Sequence, residues 1–415
     1  MRANLDHRAL YRLPWSLSDN PIAWLEPTQQ CNLSCDGCYR ENVKSHRTMP
    51  EVRSDLDVFA SLRNFDGVSI AGGDPLLHPD LPDIIRHVRS MGRKAIVNTN
   101  GKAVTRALLE DLKRAGLMGV TFHVDSRQGR PGWRNKTEKE TNELRQEYAD
   151  LVASVGGLAC AFNSTVYEDT IDQVPDVLSW ATKNIGKVHT VVFILFRAAK
   201  LAEYDYFAGG KKVDMGKLVY TETEQPERRT DIDAREIVGK MRELEPDFEP
   251  CAYLNGTEKP DSFKWLAALR VGSPGKVHGY LGPKFMELAQ TGYHMMKGRY
   301  LSYAPDWTLG TGRTVMSTAL FDRGVRRARR NWLRSIVRKP TSLFDKQYLQ
   351  TVLVIQPIDL LPDGSANMCD GCPDMTVHDG KLVWSCRLEE QRSFGQWVQA
   401  VPKGKERSVQ LPVIS

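Results

Sequence analysis

The chain has 415 residues, of which 41% are hydrophobic and 26% are charged, and its formal net charge is +6. This composition excludes an intrinsically disordered chain and predicts two or three domains, or one large barrel with an appendage. No apolar run is long enough to cross a bilayer, and MRANLDHRALYRLPW lacks the apolar segment of a secretion signal, so we expect a cytoplasmic protein.

From about residue 20 to residue 200, apolar runs typical of buried strands alternate with segments typical of helices. The predicted strands are, in chain order, IAWLEP, GVSIAGG, KAIVNTNG, GVTFHVDS, ACAFNSTV and TVVFILF. Continuous apolar strands are expected where both faces of a parallel sheet are covered. Six such units predict an α/β fold with a partial (β/α)6 TIM-type barrel, and an open doubly wound sheet is the alternative.

The alternation stops after Arg197, and the composition of the following segments suggests further domains. The predicted divisions are an N-terminal extension (1–19), the barrel (20–200), a helical and loop insertion (201–350), a cysteine-rich auxiliary domain (351–395) and a tail (396–415). Function is expected at the carboxyl ends of the barrel strands, where the unusual motifs of this region fall.

Three of the eight cysteines, Cys31, Cys35 and Cys38, follow the first predicted strand with C-x3-C-x2-C spacing. Without an export signal, metal binding explains such a group better than disulfide bonds do. Four thiolates would saturate a cubane iron–sulfur cluster, so three leave one iron open to another ligand. A zinc site that borrows a distant fourth ligand is the alternative.

With AGGDP after the second strand, residues 20–200 resemble the radical S-adenosylmethionine (SAM) superfamily. The resemblance implies an enzyme, an oxidoreductase or a transferase, in which SAM binds the open iron of a [4Fe–4S] cluster. An electron donor such as flavodoxin or ferredoxin reduces the cluster, and SAM is cleaved to methionine and a 5′-deoxyadenosyl radical that abstracts a substrate hydrogen. A non-catalytic iron–sulfur or zinc protein is the alternative of another class.

The resemblance implies SAM contacts at the AGGDP motif, at the end of strand four, on strand five and beside the third cysteine. Gly72, Gly73, Asp74 and Pro75 match the motif that meets the SAM amino group, with Asp in place of the more common Glu. Two glycines also let the backbone approach a ligand closely.

The remaining expected SAM contacts lie at the end of strand four, on strand five or next to the third cysteine. Asp125 matches the ribose-contacting position with His123 beside it, and Arg127 is a candidate partner of the SAM carboxylate. Asn163 is a further candidate contact. Gly37 departs from the family, which has an aromatic residue near the adenine at this position, and Tyr39 is the candidate substitute.

A second group of cysteines lies near the C-terminus. Cys369, Cys372 and Cys386 flank a turn signal, VHDG, and Cys251 is the candidate fourth ligand. Beside a radical SAM domain we expect a second [4Fe–4S] cluster, with structural zinc as the alternative. The arrangement has a weaker resemblance to class D radical SAM methylases and tetraether-lipid synthases. Cys160, in LACAF, is predicted to be a core residue.

Residues 321–339 are predicted to form a basic amphipathic helix. Its apolar stripe comprises Phe321, Val325, Ala328, Trp332 and Ile336, and its arginines lie nearly opposite. Such a helix can lie on an anionic membrane surface, bind RNA phosphates, or pack on the core with a solvated basic face.

The basic amphipathic helix and the weaker family resemblance favour a hydrophobic or lipid-like substrate, with C–C bond formation or a related lipid modification as the outcome. Peptide or RNA modification is the alternative, with nucleic acid ranked behind small molecules as a partner. Peripheral contact with the inner face of an anionic membrane is part of the same hypothesis.

Overall fold

A computed structural model describes residues 2–222, 225, 227–318 and 321–404; the last part of the predicted tail, residues 405–415, lies outside the described residues. The α-helices are α1 (Met49–Leu62), α2 (Leu81–Ser90), α3 (Arg106–Ala115), α4 (Asn142–Val155), α5 (Val174–Lys183), α6 (Ala234–Leu244), α7 (Pro283–Lys297), α8 (Gly312–Ser317), α9 (Arg323–Arg338) and α10 (Leu388–Phe394). The strands are β1 (Tyr11–Arg12), β2 (Ile22–Thr28), β3 (Gly67–Gly72), β4 (Lys94–Thr99), β5 (Gly119–His123), β6 (Ala159–Val166), β7 (Thr190–Leu195), β8 (Ala199–Lys200), β9 (Tyr204–Ala208), β10 (Lys211–Lys212), β11 (Thr221–Glu222), β12 (Ala252–Leu254), β13 (Trp265–Ser273), β14 (Lys276–Tyr280), β15 (Tyr348–Ile355), β16 (Asp359–Leu360), β17 (Ala366–Asn367), β18 (Met375–His378), β19 (Lys381–Trp384) and β20 (Gln399–Pro402).

Strands β2 to β7 lie side by side in chain order and are all parallel, with α1 to α5 as the crossovers between them. This confirms the predicted α/β fold with a partial TIM-type barrel. The crossover helices have local start and stop signals. In α3, for example, the Thr105 hydroxyl accepts from the Leu108 amide, and Gly116 ends the helix with a φ of +104°.

The barrel sheet continues with strands from beyond residue 200, where the sequence predicts an insertion. β15 pairs in parallel with β7, β13 pairs antiparallel with β15, and β12 and β1 follow. The insertion and the N-terminal extension therefore both contribute strands to this sheet. The nine-residue run of β13 is mostly buried, and its backbone polar groups are satisfied by pairing with β15 and β12.

The cysteine-rich segment packs on the barrel through β2 and α1. Its hairpin, β18–β19, turns at Asp379 and Gly380, which have φ values of +48° and +71° and supply the turn that VHDG predicts. The Asn20 amide donates to the Gly371 carbonyl at 2.9 Å. Arg63 donates to the carbonyls of Cys372 at 3.1 Å and of Pro373 at 3.2 Å, so barrel side chains hold the backbone that carries the cysteines.

Only part of the predicted apolar stripe packs on the core. In the basic helix, α9, Val325 and Ala328 are fully buried, and a side chain at Gly279 of β14 would lie 3.0 Å from Ala328. Phe321 precedes the helix and is 66% exposed, so it does not belong to the packed part of the stripe. Because Gly279 lets the helix approach this closely, the packed part of the stripe is not available to a membrane or to RNA. None of the described helices is both long and apolar enough to cross a membrane.

A buried carboxylate, Asp66, ties α7 and the segment after it to the amino-terminal end of the barrel. Asp66 precedes β3 and pairs with Lys94 of β4 at 2.7 Å and with Arg299 at 3.1 Å. It also accepts from the Tyr293 hydroxyl at 2.9 Å and from the Ser302 hydroxyl at 2.8 Å. Residues 293–302 are thereby held across the amino-terminal ends of β3 and β4.

We expect Asp66→Ala to lower the free energy of unfolding by about 3–5 kcal/mol, because Lys94 and Arg299 lose their buried counter-charge. Urea unfolding followed by circular dichroism measures the loss. The matched control is Asp83→Ala, which removes the exposed pair with Arg86 and should cost about 1 kcal/mol or less. Equal losses in the two variants would contradict the role of Asp66.

Candidate functional site

A single cavity of about 1230 Å³ extends through the barrel and contains most of the predicted site. The predicted residues that line it are Cys31, Cys35, Cys38, Tyr39, Gly72, Gly73, His123, Asn163, Cys369, Cys372 and Cys386. Asp74, Pro75, Asp125, Arg127 and Cys251 do not belong to its lining. The structure therefore places both cysteine groups on one cavity, which the sequence leaves open.

The loop after β2 carries the first three cysteines and is held at both sides of Cys31. Asn42 accepts from the Cys31 amide at 2.9 Å and donates to its carbonyl at 3.1 Å, and the Asn100 amide points at the Cys31 sulfur at 3.5 Å. Burial raises the pKa of Cys35, and nearby Asp125, Cys38 and Cys31 raise it further. A bound cationic centre would stabilise such a thiol as the thiolate.

The glycines of AGGDP form a backbone wall beside the cysteine loop. The Gly73 amide donates to the Thr28 carbonyl at 2.8 Å, and a Cβ on Gly73 would lie 2.3 Å from the Gln30 carbonyl oxygen. Only glycine fits such a contact. Asp74 is fully buried and accepts from the Thr99 hydroxyl and from the Asn100 amide at 3.0 Å. Asp74 therefore holds the ends of β3 and β4 together behind this wall.

His123 at the end of β5 and Asn163 in the middle of β6 face the cavity, while Asp125 lies behind them. The Asp125 carboxylate is 2.9 Å from His123 Nε2 and accepts from the Arg127 amide at 2.8 Å. Burial raises the pKa of Asp125, but the hydrogen bond and charge of His123 outweigh burial and lower it. The buried Asn163 Oδ1 has no hydrogen-bond partner among the described residues, and Asn163 lines the cavity.

The guanidinium of Arg127 pairs with Asp169, and Arg127 does not line the cavity. Its predicted contact with the SAM carboxylate stays a prediction. Arg130, which sequence reasoning missed, is buried and donates to the Asn100 carbonyl at 2.6 Å. Its charge acts on Asp74 and Cys35 and opposes the rise that burial causes in the pKa of both groups.

Gly37 leaves space that is filled by an aromatic residue from another strand end. A Cβ on Gly37 would lie 2.7 Å from the Tyr167 hydroxyl and 3.4 Å from the Phe196 ring. Tyr167 and Phe196 have ring centroids 4.9 Å apart and both line the cavity. Tyr39 also lines the cavity, with the Arg40 guanidinium 4.7 Å from its ring centroid. Sequence reasoning missed Tyr167 and Phe196, whose only signal is that each follows a strand.

The C-terminal thiols of Cys369, Cys372 and Cys386 interact with one another. A hydrogen bond to Cys369 and burial raise the pKa of Cys372, and burial raises the pKa of Cys386 to about 12. Cys251 is fully buried in the same apolar cluster as Cys369 and Cys372, and its sulfur donates to the Ala267 carbonyl at 3.4 Å. Its predicted role as a ligand stays a prediction.

Asp374 is a further acidic group on the cavity that the sequence analysis did not identify. Burial raises its pKa to about 7, and Arg63 opposes that rise.

Among the residues that the structure describes, no three His, Cys, Asp or Glu side chains converge to hold a single metal ion. A cubane cluster instead gives each thiolate its own iron, so the three loop thiols suit a cluster that has one iron left for an additional ligand.

Comparisons with known proteins match the segment of the sequence that carries this site. The sequence model of the Radical SAM superfamily matches residues 25–181. An AdoMet-dependent heme synthase of Oleidesulfovibrio alaskensis is 23% identical over 214 residues, which are 48% of this chain and 52% of the relative. A PqqA peptide cyclase of Xanthomonas euvesicatoria is 26% identical over 195 residues, 42% of this chain and 49% of the relative.

Among solved structures, SuiB of Streptococcus suis aligns with a TM-score of 0.38 at 15% identity, covering 55% of this chain and 46% of SuiB. The matched part of the chain spans about half of the length of the heme synthase and of the peptide cyclase. Residues 25–181 contain the cysteine triad, the glycine wall and the ends of β5 and β6. The chain therefore carries a radical SAM domain over residues 25–181, the domain of a superfamily of enzymes that use a [4Fe–4S] cluster and SAM.

Proposed function

We propose that this protein is a radical SAM enzyme that acts on a hydrophobic or lipid-like substrate held in the barrel cavity. The observation that carries the proposal is that three thiols, a glycine wall and an apolar barrel interior share one cavity. Cys31, Cys35 and Cys38 would hold the cluster. Together with SAM and an external electron donor, such a cluster supplies a 5′-deoxyadenosyl radical that abstracts hydrogen from an unactivated C–H bond.

The side chains and backbone of the barrel would bind and orient SAM. Gly72 and Gly73 offer backbone at close range, and Asn163 Oδ1, which has no partner among the described residues, would accept a hydrogen bond from SAM. Asp125 orients the His123 ring toward the cavity. Tyr167 and Phe196 offer an aromatic surface at Gly37, a place that the sequence analysis assigns to Tyr39.

The second proposed centre has Cys369, Cys372 and Cys386 as ligands and Cys251 as the candidate fourth. A second [4Fe–4S] cluster is the preferred occupant and structural zinc is the alternative. Support comes from the interaction of these thiols and from their position on the same cavity as the first group. Arg63 and Asn20 hold the backbone of this segment against the barrel.

The substrate class is inferred from the inner wall of the barrel. Apolar or small side chains from many strands line it: Ile22, Ile96, Val120, Ala159, Ala161, Val192, Leu269 and Leu353. Polar side chains such as Ser69, Asn98 and Thr121 interrupt this wall, but it is mostly apolar and therefore suits an alkyl chain. C–C bond formation or a related modification is the proposed outcome. Peptide modification is the second candidate, favoured by the likeness to a PqqA peptide cyclase.

Loss of the first three cysteines tests the proposed reaction. After anaerobic reconstitution, Cys31→Ala, Cys35→Ala and Cys38→Ala should each reduce 5′-deoxyadenosine formation to background, because the open-iron cluster is lost. Chromatography of the reaction mixture with dithionite and SAM measures the product. Cys160→Ala is the matched control, since Cys160 is buried away from the cavity and its variant should retain cleavage. Absence of 5′-deoxyadenosine in the wild-type enzyme would overturn the proposal.

Gly73→Ala tests the backbone wall. The added methyl group would collide with the Gln30 carbonyl, so we expect the affinity for SAM to fall about ten-fold or more. Equilibrium dialysis with labelled SAM measures the affinity. The control is Gly292→Ala, a position on α7 where an added Cβ meets no atom within 4 Å. Unchanged binding in Gly73→Ala would contradict close approach of SAM at this wall.

Iron content tests the second centre. Wild-type protein should bind about eight irons and the Cys369→Ala/Cys372→Ala variant about four, while the variant lacking the first triad also keeps about four. Iron and zinc are both measured by plasma mass spectrometry. A content of four irons and one zinc in the wild type would show that the second centre is a zinc site and not a second cluster. Retention of the full metal content by Cys251→Ala would remove Cys251 from the ligand set.

A further inference from the structure

The large apolar side chains that are most exposed among the described residues lie in one part of the chain. Six are 66–84% exposed: Met295, Met296, Trp307, Phe321, Val337 and Phe344. Outside residues 283–344, no described large apolar side chain is more than 47% exposed. An apolar concentration of this kind marks an interaction surface, whereas apolar residues scattered singly over a surface need no explanation.

The elements that carry these side chains are joined to one another. The Asp322 carboxylate accepts from the amides of Gly282 and Val325, both at 2.9 Å, and so connects the start of α7 to the start of α9. α8 packs against both α9 and the 3₁₀ helix Asp306–Thr311. We call the outer surface of α7, this 3₁₀ helix, α9 and residues 340–344 the amino-terminal face, because Asp66 and Lys94 hold α7 and the segment after it to the amino-terminal ends of the barrel strands.

The amino-terminal face is also strongly basic. Its exposed cations on α9 and just after it are Arg323, Arg326, Arg327, Arg329, Arg330, Arg334, Arg338 and Lys339. The exposed Leu333 and Val337 follow Arg330 and Arg334 at a spacing of three residues, so apolar and basic side chains share the outer side of the helix. This is the opposite side from the stripe that packs on β14.

The barrel cavity reaches this face. Its lining includes Ala304, Trp307 and Thr314, all of which are exposed, together with Phe285 and Met286 of α7. Lys259, also exposed, lines the cavity beyond the other end of the barrel, where the cysteine loop lies. The cavity therefore has a mouth on the amino-terminal face in addition to its opening near the cysteines.

We propose that the amino-terminal face docks on an anionic lipid bilayer and that its mouth admits an alkyl chain into the barrel. Arginines beside exposed Trp, Met and Phe side chains match the negative headgroups and the apolar interior of such a bilayer. Docking follows from this surface alone. The identity of the admitted chain as a substrate rests on the proposed function.

Vesicle flotation with the reconstituted full-length enzyme tests the docking. We expect binding to vesicles of phosphatidylglycerol and phosphatidylcholine, and little binding to phosphatidylcholine alone. Arg329→Glu/Arg330→Glu/Arg334→Glu should weaken binding about ten-fold or more. The matched control makes the same charge change in Arg86→Glu/Arg106→Glu/Arg114→Glu, at exposed positions on α2 and α3, and should bind like wild type.

Fluorescence quenching tests the mouth. Vesicles with brominated acyl chains should quench tryptophan emission in the wild type, and Trp307→Phe should remove most of that quenching while flotation persists. Trp133→Phe, which replaces a half-buried tryptophan of another surface, is the control and should keep the quenching. If the enzyme floats with the vesicles but Trp307→Phe leaves the quenching unchanged, the proposed mouth on the amino-terminal face is contradicted.

Two further outcomes would overturn the docking itself. One is binding that is equally strong with and without the anionic lipid and is unchanged by the α9 substitutions. The other is absence of flotation together with arginine-dependent binding to a structured RNA, which would assign the face to RNA. Formation of 5′-deoxyadenosine is measured in parallel. Its absence with flotation intact would contradict the proposed function and leave the docking supported.

Discussion

A buried ion pair between Glu26 and Arg40 joins the three parts on which the site depends. Arg40 Nε donates to Glu26 Oε2 at 2.7 Å, and Arg40 Nη2 donates to the Ser385 hydroxyl at 2.9 Å. Glu26 belongs to β2, Arg40 follows Cys38 by two residues, and Ser385 precedes Cys386. Burial raises the pKa of Glu26, but the charge of Arg40 outweighs burial and keeps it lowered, so the pair is ionised.

This pair also explains why the C-terminal cysteines belong to the barrel cavity. Removing either partner would leave an uncompensated charge in the interior, which is among the most destabilising changes available to a protein. The pair thus holds the first cysteine loop and the last cysteine in a constant relation to β2. Two metal centres on one cavity, as proposed, need such a rigid connection if electrons or substrate groups are to pass between them.

The two ends of the barrel differ in the chemical groups that they expose. At and near the carboxyl ends of the strands, glycine backbone, the Asn163 oxygen and three thiols offer polar groups to a ligand. At the amino-terminal ends, Asp66 holds residues 293–302 in place, and the outer surface is apolar and basic. The apolar interior between them connects chemistry at one end with the proposed lipid entry at the other.

Local patterns in the sequence determined many of the secondary-structure elements and the motifs of the site. Alternating apolar and amphipathic runs predict β2 to β7 with their helices, and the C-x3-C-x2-C spacing and AGGDP predict a radical SAM domain, because each of these signals lies within a few neighbouring residues. The hairpin at Asp379 and Gly380 is predictable for the same reason. These signals do not depend on what the rest of the chain does.

Only the tertiary structure decided the contacts between distant segments. The pairing of β15 with β7, the packing of α9 on Gly279 and the filling of the space at Gly37 by Tyr167 all join residues far apart in sequence. An apolar strand or stripe has the same pattern whichever surface it meets, and Arg127 has the same sequence context whether it meets a ligand or Asp169. The sequence therefore determined which faces must be buried, and the fold determined their partners.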